Sequence, residues 1–517
     1  MDNVSVLVSN ASNFIAQQAD EQTVREQACR DYQGCPDNGR MLSRFLSAFA
    51  TLGLGCFSLV AVAQSLPADI DAALARAQIP RDAASLLVLD TDRNSHPLVR
   101  LSHLAEVQRN PASVMKLVTT YAALDLLGPA YTWTTPVYLD GTLHNGVLQG
   151  NVYIKGQGDP KLVMERLWLL LRRLQGLGVR QISGDIVLDH SAFTLTDNDP
   201  ARFDGEPLRP YNASPDALLI NYKSLLLTIS PDLSGQRALV QYDPPLYGVQ
   251  TQPSVALGNG ACGDYRAQLK ADFSNPLQIR LLGQYPASCG EKVWPVAYAD
   301  PASFAPRAVQ GLWLNMGGKL DGSVRYGKLP DALAAKPPAM ESLSAPLAEI
   351  IRDINKYSNN VMAEQLFLTL GRSASVNPGS FDAARSVLQD WWTERIGGEA
   401  PRIENGAGLS RQDRISAQSL GRLLRAAYDS PFMSELMSSL PISGIDGTLK
   451  RYQTRSPGSA HLKSGTLNGV VARAGYVEGA SGKRYVLVAI INHANANTDA
   501  ARNVLESLID WTAKDNE

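Results

Sequence analysis

Charge of one sign, cysteine and histidine are scarce in this 517-residue chain. Its 48 lysines and arginines face 50 aspartates and glutamates, and no basic block stands out. Both the electrostatic footprint of a nucleic-acid binder and a polybasic handle for anionic lipid are therefore missing, and no nucleic-acid partner is expected. The six histidines (His96, His103, His144, His190, His461 and His493) are scattered without metal-ligand spacing, and H-E-x-x-H and paired C-x-x-C motifs are absent. No metal is expected. There is no G-x-S-x-G elbow and no Walker loop. A serine hydrolase built on this chain would need a base other than histidine. With 44% hydrophobic and 19% charged residues, the composition is that of packed domains, two to four of them at roughly 150 residues each.

Long apolar runs are also few. The clearest, Phe45 to Ala63, is charge-free, follows Arg44 and ends Ala61-Val62-Ala63 before Gln64. This fits a secretory signal at 41–63, cleaved after Ala63, better than a retained membrane anchor. Residues 1–40 carry a net negative charge, whereas an export signal opens positively, so Met41 is the expected biological start and 1–40 an upstream tail outside the native product. Export leaves Cys262 and Cys289 and removes Cys29, Cys35 and Cys56. In an oxidising compartment a pair 27 residues apart is most simply one structural disulfide, two unrelated thiols being the alternative.

Past Pro67, an amphipathic stretch (Ile70 to Ala77) precedes a buried strand at Ser85–Asp90, with a hairpin partner at Leu98–Leu101. Asn110-Pro111 reads as the start of a helix running to Gly128, which puts Ser113 at its third position. Residues 132–208 change to short alternating strands with one helix, and 209–298 read as a β-rich module holding both mature cysteines. Helical periodicity returns after Asp300, and two strong strands (Val470–Val477, Arg484–Asn492) precede a closing helix. The expected organisation is one α+β domain, 64–131 plus 299–517, interrupted by inserted domains at 132–208 and 209–298.

Three short motifs carry chemistry. Ser113-Val-Met-Lys116 places a lysine one helical turn from a serine, within reach of its hydroxyl. Ser358-Asn-Asn360 and Lys463-Ser464-Gly465-Thr466 follow, the latter at the edge of a strand. Each alone is commonplace, since Ser-x-Asn is usually a cap or turn and Lys-Ser-Gly usually a loop. In this order they resemble the triple signature of the serine penicillin-recognising enzymes. The 245 residues between Ser113 and Ser358 exceed what a compact β-lactamase needs. Together with Gly150–Pro160, Gly184–Phe193, Pro210–Ala213, Asn405–Arg411 and Gly444–Leu449, that spacing makes the chain similar to the class C low-molecular-mass penicillin-binding proteins, D-alanyl-D-alanine carboxypeptidase/endopeptidases of the penicillin-binding protein 4 type.

The resemblance implies a β-lactamase-like penicillin-binding fold, an antiparallel sheet flanked by helices, with nested β-rich inserts and no cofactor. It implies a periplasmic serine peptidase acting on peptidoglycan stem peptides and acylated by β-lactam antibiotics. Ser113 is the implied nucleophile. Lys116, lowered toward neutrality by burial and by the neighbouring Lys463, is the base. Ser358 relays the proton, Asn360 holds a substrate amide, and Lys463 and Ser464 grip a terminal carboxylate. Gly465 lets substrate backbone lie against the strand, and the Ser113 and Thr466 N–H groups form the oxyanion hole. Asp189, Phe193, Arg411 and Asn468 map onto the family's pocket for a diaminopimelate side chain, an acid and an arginine suiting a zwitterionic end. Ser464 stands where the family usually has threonine and Asn405 where it usually has aspartate; no reading follows for Asn405. A β-lactamase or esterase on the same scaffold and a non-catalytic peptidoglycan-binding protein are the rival readings. Oligomeric state and membrane or cell-wall-machinery association stay open.

Overall fold

Alternation along one strand sets the central layering. In β1 (Ala84–Asp90), Leu86 and Val88 face one core and Leu87 and Leu89 the other, so the strand is buried on both sides. The computed structural model describes residues 66–92, 98–195, 199–373, 377–452 and 455–515. The expected signal at 41–63, the upstream tail, Cys29, Cys35, Cys56 and His96 lie outside the described residues. β1 is joined on one side by β2 (Val99–His103). On the other side lie β5 (Arg484–Asn492), β4 (Val470–Glu478) and β3 (Ala460–Leu467), giving an antiparallel sheet in the order β3-β4-β5-β1-β2.

One face of this sheet is covered by α1 (Ala68–Arg76) and the closing helix Asp499–Ala513, through Ile70, Leu74, Val504, Leu505, Leu508 and Ile509. The other face packs on α2 (Lys116–Leu127), α3 (Leu347–Tyr357) and α4 (Asn360–Ser373), with Leu117, Val118, Tyr121, Ile350, Ile351 and Phe367 in that core. This is the expected α+β layering. Apolar periodicity in helices and unbroken apolar runs in strands are what a doubly covered sheet requires.

Two of the expected boundaries move. Helix Pro301–Asn315, expected with the peptidase domain, buries Phe304, Ala308, Val309, Leu312 and Trp313 in the core of the insert. Strands Lys319–Leu320, Val324–Tyr326 and Met340–Leu343 complete the insert's seven-stranded sheet, pairing with Gln181–Ile182, Ile186–Asp189 and Thr134–His144. Residues 301–343 therefore belong with the insert. The segments 132–208 and 209–298 also share that core, Leu170, Ile186, Leu227 and Tyr285 lying in one apolar cluster. They form one inserted module of the seven-stranded sheet, a five-stranded sheet and a two-stranded ribbon (Ala271–Asp272 with Arg280–Leu281), in which Cys262 and Cys289 are disulfide-bonded.

Candidate active site

The turn carrying Ser113 is not the first turn of a long α-helix. Ala112–Met115 form a 3₁₀ turn and α2 starts only at Lys116. Asn110 still performs a capping job, its Oδ1 accepting the Ala112 N–H at 2.8 Å, but it closes a local Asx turn. Ala112 is held at φ 49°, a left-handed conformation costing about 1–2 kcal/mol for a residue with a side chain. Its surroundings enforce it. The turn is tied to the end of β5 by reciprocal bonds between the Asn110 backbone and the Asn492 side chain (2.9 and 3.0 Å). Two glycines allow close approach from either side. A Cβ on Gly465 would lie 2.4 Å from the Pro111 carbonyl oxygen, and one on Gly408 2.1 Å from that of Ala112. The glycine of Lys463-Ser-Gly465 is thus required by strand-to-turn packing, before any substrate is considered.

Lys116 is fully buried. Its Nζ lies 2.6 Å from Asn360 Oδ1, 2.5 Å from the Ala407 carbonyl and 3.1 Å from Ser113 Oγ. A protonated amine donates to all three. A neutral amine keeps two hydrogens, which the two shorter contacts absorb, and its lone pair is left facing the Ser113 hydroxyl. Burial lowers Lys116 to about 7, against the pull of Glu364 and Asp413. Burial in turn raises Glu364 to about 8 and Asp413 to about 7. Lys463, also fully buried, is lowered well below the usual lysine range by burial, then by Lys116 and Arg473. Of the two causes expected to lower Lys116, burial is the largest, and the coupling between the two lysines is expressed on Lys463, which Lys116 lowers.

Lys463 Nζ donates to Ser358 Oγ at 2.8 Å and to its neighbour's carbonyl, that of Ser464, at 2.8 Å. Ser358 ends α3 at φ 57°, a second left-handed residue in the site. Ser464 Oγ is 2.6 Å from Thr448 Oγ1, in the loop where Asp446 also pairs with buried Lys356 at 2.6 Å. Thr466 is exposed at the end of β3. Ser113, Lys116, Ser358, Asn360, Lys463, Ser464 and Gly465 are thus linked by contacts through three segments far apart in sequence. Asn360, expected to face substrate, has its oxygen on Lys116 and its Nδ2 on the Tyr211 carbonyl at 3.1 Å.

The Asn405–Asp413 loop builds the floor. Asn405 closes it by accepting the Ala407 N–H and donating to the Leu409 carbonyl (3.0 and 3.2 Å), which aims the Ala407 carbonyl at Lys116. Glu364 and Asp413 escaped the sequence reading. Glu364 follows Asn360 by four residues, on the same helical face, a spacing that could have found it. Asp413 carries no such signal.

The four residues mapped to a diaminopimelate pocket divide into two pairs. Asp189 and Phe193 line a cavity of about 640 Å³ in the insert with His190, Asp216, Tyr326 and Lys328. Burial works to raise Asp189, but the Ser191 hydroxyl, with the Leu329 and Ser191 N–H groups, outweighs it and holds the carboxylate below its usual range. Arg411 and Asn468 do not line that cavity: Arg411 lies 4.9 Å from the Phe203 ring centroid and donates to the Asn468 carbonyl at 3.1 Å. Among the described residues Asp189 and Arg411 form no ion pair with each other. Among the described residues no cluster of histidine, cysteine or carboxylate side chains suits a metal ion.

An antiparallel sheet between helical layers, with a lysine three residues after a serine and a second serine–lysine pair opposite, defines an active-site-serine peptidase of the penicillin-recognising class. Comparison with known proteins narrows the class: residues 66–515 match the D-Ala-D-Ala carboxypeptidase 3 (S13) family, and the chain belongs to it. It is 26% identical over 396 residues to the D-alanyl-D-alanine carboxypeptidase DacB of Haemophilus influenzae, covering 74% of this chain and 80% of that protein. It is 27% identical over 449 residues to the D-alanyl-D-alanine carboxypeptidase of an Actinomadura species, covering 83% and 81%. Among solved structures, penicillin binding protein 4 of H. influenzae superposes with a TM-score of 0.67 at 21% identity, covering 86% of this chain and 98% of that one. The same protein in complex with a β-lactam gives 0.64. The chain is a serine-type D-Ala-D-Ala peptidase, a hydrolase.

Proposed function

We propose that this DD-peptidase works in the periplasm after cleavage of the 41–63 signal. It hydrolyses D-Ala-D-Ala ends of stem peptides and D-Ala-diaminopimelate cross-links through an acyl-enzyme on Ser113. The observation that carries the proposal is the contact set of Lys116, in which two neutral acceptors take its hydrogens and the third neighbour is the serine hydroxyl. Near neutral pH the unprotonated amine takes the Ser113 proton as Oγ attacks the carbonyl carbon of the penultimate D-Ala. Charge on the carbonyl oxygen is met by the N–H groups of Ser113 and Thr466. Ser358, hydrogen-bonded to Lys463, relays the proton to the leaving amine, and water releases the acyl group by the reverse path. Ser464 and Lys463 receive the terminal carboxylate. A β-lactam presents the same reacting amide and acylates Ser113, as its relative's complex suggests.

Recognition of diaminopimelate is assigned to the two separated pairs, Asp189 with Phe193 and Arg411 with Asn468. Among the described residues no helix is long and apolar enough to cross a membrane. Intact-mass and digest analysis of the exported protein after penicillin treatment tests the proposal. A single penicilloyl adduct on Ser113 that persists for minutes, on a chain beginning at Gln64, is expected. Rapid release of hydrolysed drug would instead make it a β-lactamase, and an adduct elsewhere, or normal turnover by Ser113→Ala, would end the assignment.

A further inference from the structure

A side-chain amide has two ends alike in shape and opposite in function. For Asn360 the orientation matters: oxygen toward Lys116 leaves the amine's lone pair for Ser113, whereas a flipped amide would donate an N–H to that lone pair and occupy it. What fixes the orientation lies outside the peptidase motifs. Asn360 Nδ2 donates to the carbonyl of Tyr211, in the 3₁₀ turn Pro210–Asn212. A carbonyl accepts only, so it rejects the flipped amide oxygen. The turn is itself tied to one carboxylate: Asp204 accepts from the Tyr211 hydroxyl at 3.0 Å, Asn212 Nδ2 at 2.7 Å and the Glu206 N–H at 3.1 Å. Asn212 Nδ2 also donates to the Glu206 carbonyl at 2.9 Å. Glu206 and Arg209, 3.6 Å apart, are the charged groups beside this clip.

We propose that Asp204 is a positioning residue of the DD-peptidase reaction, clamping the Pro210–Asn212 turn so that the Tyr211 carbonyl holds the Asn360 amide with its oxygen on Lys116. The inference rests on Lys116 as the base. It also gives the insert a catalytic purpose, since a loop of the inserted module sets a proton-accepting geometry in the peptidase domain. The ionisable groups facing Lys116 are Glu364 on α4, Asp413 in the floor loop and Lys463 on β3, and a change at position 204 leaves all three in place.

The test is the rate of acylation by a fluorescent penicillin across pH, using the full exported chain and its Asp204→Ala, Asp204→Asn and Tyr211→Phe variants. Asp204→Ala should acylate about tenfold more slowly at its plateau. Its acid limb should move to lower pH, because the ammonium form of Lys116 has lost an acceptor and the neutral form has gained a donor. Asp204→Asn, which keeps one accepting oxygen, should recover most of the rate, and Tyr211→Phe should fall between. An unchanged rate, or a slower rate with the limb unmoved, overturns the proposal, the latter marking a merely structural role. If Asp204→Ala fails to fold, Tyr211→Phe decides by the same two readouts. Acylation that survives in Lys116→Ala would instead remove the base assignment and leave the clip untouched as geometry.

Discussion

Two buried lysines, one in each half of the molecule, are wired in opposite ways. Lys223 in the insert lies 3.2 Å from Asp216 Oδ2, with further bonds to Ser214 Oγ and the Pro215 carbonyl at 3.3 Å. Asp216 also faces His190 at 3.4 Å, and despite burial its carboxyl is held down at about 2, chiefly by Lys223. Lys116 has hydrogen bonds to neutral oxygens, while its carboxylates, Glu364 and Asp413, act on it only through space. A direct carboxylate partner fixes a buried lysine as a cation. Neutral acceptors leave it close to losing its proton, which is what a base requires.

The largest effect expected from this contrast is at Lys116. Lys116→Ala should lower Ser113 acylation by about a thousandfold or more. Lys116→Arg should be equally inactive, since guanidinium keeps its proton. Fluorescent-penicillin labelling measures both, and appreciable labelling of the arginine variant would break the comparison. In the insert the corresponding change should act on stability. Lys223→Met removes the main counter-charge of buried Asp216 and should lower the unfolding free energy by about 3 kcal/mol in urea titration, with acylation by the folded fraction unchanged.

Asp216 sharpens the same point through pH. Its folded pKa of about 2 lies below the ordinary 3.8, so its contribution is fully present above about pH 4 and is lost as pH falls through about 2. That contribution is about 2 kcal/mol. Unfolding curves across this window should be steeper in pH for the natural chain than for Asp216→Asn; parallel curves would deny that the pair is fixed as ions.

Much of the peptidase half could be read from sequence because it rests on local signals. The strand pairs, the α2 and α4 periodicities and the order of three motifs each depend on residues near in the chain. The rest depends on what a segment meets. The amphipathic face of Pro301–Asn315 announces a buried helix without saying which core buries it, so its assignment to the peptidase domain went astray. The left-handed Ala112 and Ser358 carry no glycine to advertise them. Asn405, opaque in sequence, acquires its purpose only when the loop it closes is seen to aim Ala407 at Lys116. Matching strings name Asp189 and Arg411 together, but the backbone N–H partners of the first and the Phe203 ring beneath the second are visible only in the tertiary structure.

The smallest expected effect is the most specific test of how Lys116 is poised. Asp413 accepts the Glu404 N–H through Oδ1 at 2.8 Å, and its buried Oδ2 has no hydrogen-bond partner among the described residues. Asp413→Asn keeps an oxygen for Glu404 while deleting the charge. When ionised, Asp413 favours the ammonium form of Lys116, so its removal should lower the lysine pKa further and shift the acid limb of acylation down by about half a unit. The plateau should fall slightly, because a less basic amine is a weaker proton acceptor. Glu364→Gln should shift the limb in the same direction, and the double variant further than either alone, since both carboxylates oppose the same desolvation. A limb that stays in place or moves to higher pH in both single variants would mean that these carboxylates do not hold up the pKa of Lys116.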